Sequence, residues 1–233
     1  MAAPLPGIRA CVFDGYGTLF DYASAAAGCR DVLGERHGPL TTLWRDKQLQ
    51  YTWLRALQGR HIDFWQVTCD ALDFALETLG LDDPPLRARL MDLYRTLDVF
   101  AEVPAVLKQL KVAGLKTAIL SNGSPDMLDA AVNKAGIGDL LDAVLSVELV
   151  GVYKPHPKVY QLAVDRLAIP ARDLVPVFQC LGRSCCLGLR HARGVVQPLW
   201  PAAGAAAWKT GSRDRLARGA AGKCEGIATE GGR

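Results

Sequence analysis

Three short polar motifs hold the residues most able to do chemistry. Asp14 ends an apolar run and precedes Gly15–Thr18, a segment that can turn sharply and bring a hydroxyl near the carboxylate. The Ser121–Gly123 segment supplies a hydroxyl, an amide and backbone N–H groups, and Lys154 lies between turn signals with Tyr160 further along. Together they offer a carboxylate nucleophile, a cation beside it and donors for an anion.

Each motif also has an ordinary structural explanation. Asp14 could cap a helix, Ser121–Gly123 could be a simple turn, and Lys154 could lie in a solvated loop. The position of the motifs favours a functional role over these structural ones, because all three are expected at the carboxyl ends of strands of one sheet. Ligands of open α/β sheets bind at that edge.

The apolar and turn patterns predict the elements that position these motifs. Ile8–Phe13 is predicted to be a buried strand, and residues 22–96 to be a block of four helices. Beyond residue 100 the predicted elements alternate: helices over Val103–Val112, Asp126–Ala135 and Pro157–Leu167, and strands over Leu115–Leu120, Ala143–Val147 and Leu174–Phe178. Such alternation predicts a parallel sheet with helices on both faces.

This order predicts an α/β protein with a Rossmann-like parallel-sheet core and an inserted helical cap domain. The core is assigned to residues 1–17 and 99–177, and the cap to residues 18–98. Residues 178–233 form an atypical C-terminal segment without sustained periodicity.

The three motifs resemble those of the haloacid dehalogenase superfamily. Within this superfamily the resemblance is most specific to the L-2-haloacid dehalogenases. Their cap segment is similar to Leu43–Arg55, Gly59-Arg60 and Asp63–Trp65 of this chain. The resemblance spans about residues 8–177. Related phosphatases carry a second Asp two residues after the nucleophile, which acts as general acid and helps to place Mg²⁺. This chain has Tyr16 there, which cannot supply that carboxylate, whereas halide leaves without protonation.

The resemblance implies a hydrolytic dehalogenation without metal or organic cofactor. Asp14 would attack C2 of a short (S)-2-haloalkanoic acid, displace halide and form an ester that water cleaves, giving the (R)-2-hydroxy acid. Lys154 would keep Asp14 ionised. Thr18 would hydrogen-bond the nucleophile, and Tyr160 would support the polar network.

The resemblance also implies how the substrate is held. Arg45 and Asn122 would stabilise the departing halide, while Ser121 and N–H groups near Gly15 and Tyr16 would bind the carboxylate. The apolar wall would consist of Tyr16, Leu49 and Phe64. Composition alone favours a surface arginine paired with Gln or Glu for Arg45 and ordinary core residues for Leu49 and Phe64, and only the resemblance of the cap segment assigns them to the site. His61, Asp63 and His156 match no metal-ligand spacing.

The fourth motif of the family is missing. Where Ser-Ser-Asn-x-Trp-Asp is expected, the chain has Phe178–Cys186. Gln179–Ser184 can be encoded so that reading one base later gives Ser-Ala-Trp-Asp-Ala. We therefore hypothesise that residues from about 178 onward are a frame-shifted translation. If they are native, the enzyme would lack its water-positioning carboxylate.

Charge and cysteine content agree with this division. Residues 1–177 hold 18 Lys and Arg against 21 Asp and Glu, whereas residues 178–233 hold 9 against 3. The overall net charge of +3 is too small to imply nucleic acid. Seven cysteines without framework spacing predict reduced thiols and a cytoplasmic location. No uncharged apolar run reaches the roughly 18 residues that a membrane helix needs, so no membrane span is predicted. The resemblance suggests a homodimer. The alternatives are a phosphatase acting on a small phosphate ester or an inactive relative.

Overall fold

A four-stranded parallel sheet lies at the centre of the computed structural model, which describes residues 7–177. The strands are β1 (Ala10–Phe13), β2 (Phe20–Asp21), β3 (Asp98–Val99), β4 (Lys116–Ser121), β5 (Ala143–Ser146) and β6 (Leu174–Val177). The sheet has the order β5-β4-β1-β6, and Phe13 of β1 lies opposite Ile119 of β4 and Val177 of β6. All four residues of β1 are buried, as expected for a central parallel strand covered on both faces. The predicted α/β class is therefore confirmed.

Eight α-helices accompany the strands within residues 7–177. They are α1 (Ser24–Ala27), α2 (Arg30–Leu33), α3 (His37–Gln58), α4 (Phe64–Thr78), α5 (Pro84–Arg95), α6 (Val103–Val112), α7 (Pro125–Ala135) and α8 (Pro157–Leu167). Short 3₁₀ turns cover Gly34–Arg36, Gly138–Leu140, Val147–Leu149 and Ala171–Asp173. None of the helices described is long and apolar enough to cross a membrane.

The helical block lies between β2 and β3, which pair antiparallel and bring its two ends together. The prediction of four helices was wrong, since residues 22–96 contain two one-turn helices and three long ones. The longest, α3, contains Gly38 and Pro39 in its first turn, where proline is tolerated. Its buried residues recur every fourth position, Leu40, Trp44, Gln48 and Thr52, and Trp44 and Gln48 of this stripe contact α4.

Local signals explain the ends of the helices nearest the site. Asp63 caps α4 by accepting a hydrogen bond from the Trp65 N–H at 2.6 Å. His156 caps α8 by accepting from the Lys158 N–H at 3.2 Å, and Pro157 occupies the first helical position. Strand ends differ from prediction by one or two residues: β1 starts at Ala10, β4 is shifted by one residue, and Phe178 lies outside the described residues.

Candidate active site

Asp14 lies directly after β1 at the carboxyl edge of the sheet. Its Oδ1 accepts a hydrogen bond from the Gly15 N–H at 2.8 Å and lies 2.9 Å from Lys154 Nζ. The side chains of Asp14 and Lys154 are only 22% and 13% exposed, so the ion pair is largely removed from water. The predicted nucleophile and the predicted cation are therefore in direct contact.

Lys154 is held by more than Asp14. Its ammonium also donates to the Leu120 carbonyl at the end of β4, and its backbone N–H donates to Asn122 Oδ1 at 3.1 Å. Burial lowers the pKa of Lys154; contact with Asp14 opposes this shift, and Arg45 adds to it. Lys154 thus joins the ends of β1 and β4.

The end of β4 forms a tight polar turn. The Ser121 side chain is fully buried, and its Oγ accepts from the Gly123 N–H at 3.1 Å. Both glycines at this edge permit close approach: a Cβ on Gly15 would lie 3.0 Å from Ser121 Oγ, and one on Gly123 would lie 2.7 Å from Tyr16 Cε2. The predicted residues Gly15, Tyr16, Ser121 and Asn122 therefore surround one small region.

Arg45 reaches this region from the helical block. Its Nη2 donates to the Tyr16 carbonyl at 3.2 Å, its Nη1 donates to Gln48 Oε1 at 2.7 Å, and its guanidinium lies 5.0 Å from the centre of the Tyr22 ring. Arg45 thus pairs with a glutamine, as the structural alternative expected, and also touches the residue two positions after Asp14. The guanidinium thus brings a second positive charge to the backbone of the turn that follows Asp14.

Aromatic rings cover one side of the site. The Tyr16 ring packs against Phe20, Phe64 and Tyr94, with centroids 6.2, 5.9 and 5.7 Å away. Its hydroxyl is buried and has no hydrogen-bond partner in the part of the chain described, and burial raises its pKa well above 10. Leu49 is half-buried on α3, one turn beyond Arg45. Phe64 is thus placed beside Tyr16.

The remaining predicted residues, Thr18 and Tyr160, are both buried. Thr18 follows Asp14 in the turn, where its N–H donates to the Gly15 carbonyl at 3.3 Å, and Tyr160 lies in the first turn of α8. Their proposed contacts with the nucleophile stay predictions. The fourth motif lies outside the described residues.

Two buried polar residues at the site were missed by the sequence analysis. Ser146, at the end of β5, donates from Oγ to the Gly123 carbonyl at 2.7 Å and supports the β4 turn. The strand-end rule that found Ser121 could have found it. Gln48, the partner of Arg45, carries no such signal, because a glutamine within a helix is ordinarily exposed.

The histidines and the aspartate considered as metal ligands have other partners. His61 Nε2 lies 2.8 Å from Glu148 Oε2, while Asp63 and His156 cap helices. No group of three or more potential metal-ligating His, Cys, Asp or Glu side chains occurs among residues 7–177.

Comparison with known proteins agrees with this geometry. The family model of the haloacid dehalogenase-like hydrolases matches residues 8–175. The chain therefore belongs to the haloacid dehalogenase-like hydrolases.

Within that family, several of the similar proteins are (S)-2-haloacid dehalogenases. The chain is 47% identical to (S)-2-haloacid dehalogenase 1 of Pseudomonas sp. strain CBS-3 over 163 residues, which cover 70% of this chain and 72% of the relative. It is 49% identical to (S)-2-haloacid dehalogenase of Pseudomonas sp. strain YL, covering 70% of each. The solved structure of L-2-haloacid dehalogenase from Xanthobacter autotrophicus with chloropropionic acid covalently bound is also similar. It has a TM-score of 0.67 and 45% identity, covering 72% of this chain and 69% of that one.

Proposed function

We propose that this chain hydrolyses short-chain (S)-2-haloalkanoic acids to (R)-2-hydroxyalkanoic acids and halide. A carboxylate oxygen of Asp14 forms a bond to C2 from the side opposite the halogen, and the C2–halogen bond breaks with its electron pair leaving on the halide. Water then adds to the carbonyl carbon of the resulting ester, and the acyl C–O bond breaks. One proton of the water ends on the hydroxyl oxygen of the product, the other is released to solvent, and the Asp14 carboxylate is regenerated. Because C2 is attacked once, its configuration inverts.

The observation that carries this proposal is the arrangement of charges around Asp14. A carboxylate held at 2.9 Å from Lys154 Nζ and at 2.8 Å from a backbone N–H is oriented for attack. Arg45 approaches from the helical block and offers its positive charge to a departing anion. The covalently bound chloropropionic acid of the Xanthobacter autotrophicus relative supports an ester route for this chain.

The other residues take the roles that the family resemblance implies. Asn122 assists Arg45 at the halide, and Ser121 with the N–H groups of Gly15 and Tyr16 binds the substrate carboxylate. Thr18 and Tyr160 support the nucleophile. The apolar wall is formed by Tyr16, Leu49 and Phe64, and the rings of Tyr16 and Phe64 are already in contact. No metal or organic cofactor is required.

A halide-release assay on the full chain tests this proposal. (S)-2-Chloropropionate should release chloride with EDTA present, the (R) enantiomer should not, and Asp14→Asn should abolish release. A single turnover in ¹⁸O-water should place the label in Asp14 and leave the hydroxy acid unlabelled, because water attacks the acyl carbon. Phosphate release from an ester with Mg²⁺, without halide release, would contradict the proposal. The comparisons give no support to that phosphatase alternative.

We also propose a cytoplasmic homodimer. Trp53, Leu54 and Leu57 are exposed on the last turns of α3, and Leu57 is 85% exposed. A cluster of large apolar side chains on a surface is typical of an interaction site. Light scattering of the native chain and of Leu57→Asp should show a dimer and a monomer, respectively.

The division into core, cap and C-terminal segment remains a proposal, as does the frame shift after residue 178. The family match ends at residue 175, which supports the frame shift. The coding DNA tests it directly: the shifted reading frame should encode Trp-Asp near codon 182. If residues 178–233 are native, intact-mass measurement should reveal an Asp14 ester that accumulates because hydrolysis is slow.

A further inference from the structure

Gln48 is a fully buried polar side chain in direct contact with Arg45. It lies on α3, one turn after Arg45, and is 1% exposed. Its Oε1 accepts from Arg45 Nη1 at 2.7 Å, and its Nε2 donates to Thr68 Oγ1 at 2.8 Å. A buried amide destabilises the fold unless its polar atoms are hydrogen-bonded, so the contacts of Gln48 are needed to offset its burial.

The orientation of this amide is fixed by its partners at both ends. Arg45 can only donate, so the carbonyl oxygen of Gln48 must face it. The Thr68 hydroxyl donates its hydrogen to the Phe64 carbonyl at 2.8 Å, so it can only accept from Gln48, whose NH₂ group must face it. The carbonyl and NH₂ ends of the amide are therefore assigned by the hydrogen-bond network itself.

The same network is tied to the helices around it. The Trp44 indole N–H donates to the Thr68 carbonyl at 2.9 Å, which joins α3 to α4. Tyr94 of α5 places its hydroxyl 3.1 Å from Gln48 Nε2, and its ring stacks on Tyr16 at an interplanar angle of 17°. Gln48 is thus held by three helices, while Arg45 spans from Gln48 to the Tyr16 carbonyl.

We propose that Gln48 is a positioning residue that fixes the Arg45 guanidinium for the departing halide. This inference rests on the proposed function. An unconstrained arginine would lose side-chain entropy each time it met the halide, whereas the Gln48 contact removes much of that loss beforehand. Chloride is a poorer leaving group than bromide and carries a more concentrated charge. The reaction of chlorinated substrates therefore depends more on correct placement of Arg45.

The kinetic test compares Gln48→Met with Thr52→Val. Methionine keeps the length of the side chain but removes the acceptor for Arg45. Thr52 is an equally buried polar residue one turn along the same stripe, and its hydroxyl donates to the Leu49 carbonyl at 2.7 Å. We measure kcat/KM for (S)-2-chloropropionate and (S)-2-bromopropionate, since this ratio reports the steps up to irreversible carbon–halogen cleavage.

Gln48→Met should lower kcat/KM about 10- to 100-fold for the chlorinated acid and clearly less for the brominated acid. Thr52→Val should leave the ratio between the two substrates unchanged. In an Arg45→Lys background the Gln48→Met effect should largely disappear, because Gln48 acts through Arg45. Equal losses for both halogens would mean a structural role and would overturn the inference.

A spectroscopic measurement separates this inference from the proposed function. The guanidinium ¹⁵N resonances of Arg45, assigned by their absence in Arg45→Lys, should show hindered rotation in the native chain and in Thr52→Val. Free rotation is expected in Gln48→Met. If the native chain releases no halide, the proposed function fails while this measurement still decides whether Gln48 orders Arg45. An unchanged Arg45 signal in Gln48→Met would overturn the positioning role.

Discussion

The two sides of the site hold their cations in different ways. We name the strand-end groups around Lys154 the core side and the groups of the helical block around Arg45 the cap side. Lys154 is fixed by groups at strand ends: the Asp14 carboxylate, the Leu120 carbonyl and Asn122. Arg45 is fixed by a side-chain network in the helical block, through Gln48, and by one core carbonyl. The difference separates nucleophile from leaving group. Changes at Lys154 should impair all halogens equally, whereas changes at Arg45 or Gln48 should depend on the halogen.

Replacing Lys154 should lower kcat/KM more than any of the other changes described below. Lys154→Met leaves the largely buried Asp14 carboxylate without its cation. Removing one partner of a buried ion pair typically lowers the free energy of unfolding by about 3–5 kcal/mol. We expect kcat/KM to fall about 10³-fold, with the chloride-to-bromide ratio unchanged. Lys158→Met is the matched control, because Lys158 is exposed on α8 and carries the same charge. A halogen-dependent loss in Lys154→Met would remove the distinction between the two sides.

The pH profile should report Lys154 as well. Burial lowers its pKa from the ordinary 10.5, so it loses its proton at a lower pH than a free lysine. As pH rises through that lowered value the ion pair with Asp14 is lost, and kcat/KM should fall. The pKa of Tyr16 is shifted in the opposite direction, so Tyr16→Phe should leave this alkaline limb in place. An alkaline limb that vanishes in Tyr16→Phe would assign it to the phenol.

The sequence predicted the core side of the site better than the cap side. The bounds of α6 and α8 were predicted to the residue, because Gly114 and His156-Pro157 mark helix ends locally. Asp14 and Lys154 follow the same logic, since turn signals near strand ends place them at one edge. Site residues that follow the ends of parallel strands can therefore be predicted from short segments of the sequence.

The cap side depends on contacts that no short segment contains. Gln48 meets Thr68, 20 residues away, and Tyr94, 46 residues away, only after α3, α4 and α5 have packed together. Gln48 and Thr52 both lie on the buried stripe of α3. The helical period would favour apolar residues at these two positions, so the sequence does not predict buried polar side chains there. The number of helices was wrong for a different, local reason, because Gly28 and Gly34 divide the start of the block into single turns.

Gly123→Ala tests the boundary between the two sides. The added Cβ would lie 2.7 Å from Tyr16 Cε2, and the Tyr16 ring is confined by Phe64 and Tyr94. We expect the free energy of unfolding to fall by about 1–3 kcal/mol and kcat/KM to fall for both halogens. Gly138→Ala is the control, because its nearest neighbouring atom lies 3.7 Å from the added Cβ. Unchanged stability in Gly123→Ala, measured by urea unfolding, would mean that the rings can move apart freely.

Tyr16→Phe should have the smallest effect on activity, because it keeps the ring that packs against Phe64 and Tyr94. It removes a buried hydroxyl that has no hydrogen-bond partner within residues 7–177, so the free energy of unfolding should rise by about 1 kcal/mol. The KM for (S)-2-chloropropionate should stay unchanged if the residue acts only as an apolar wall. A higher KM with unchanged stability would instead make the phenol a donor to the substrate. Tyr16 would then belong with Lys154 and Ser121 on the polar core side.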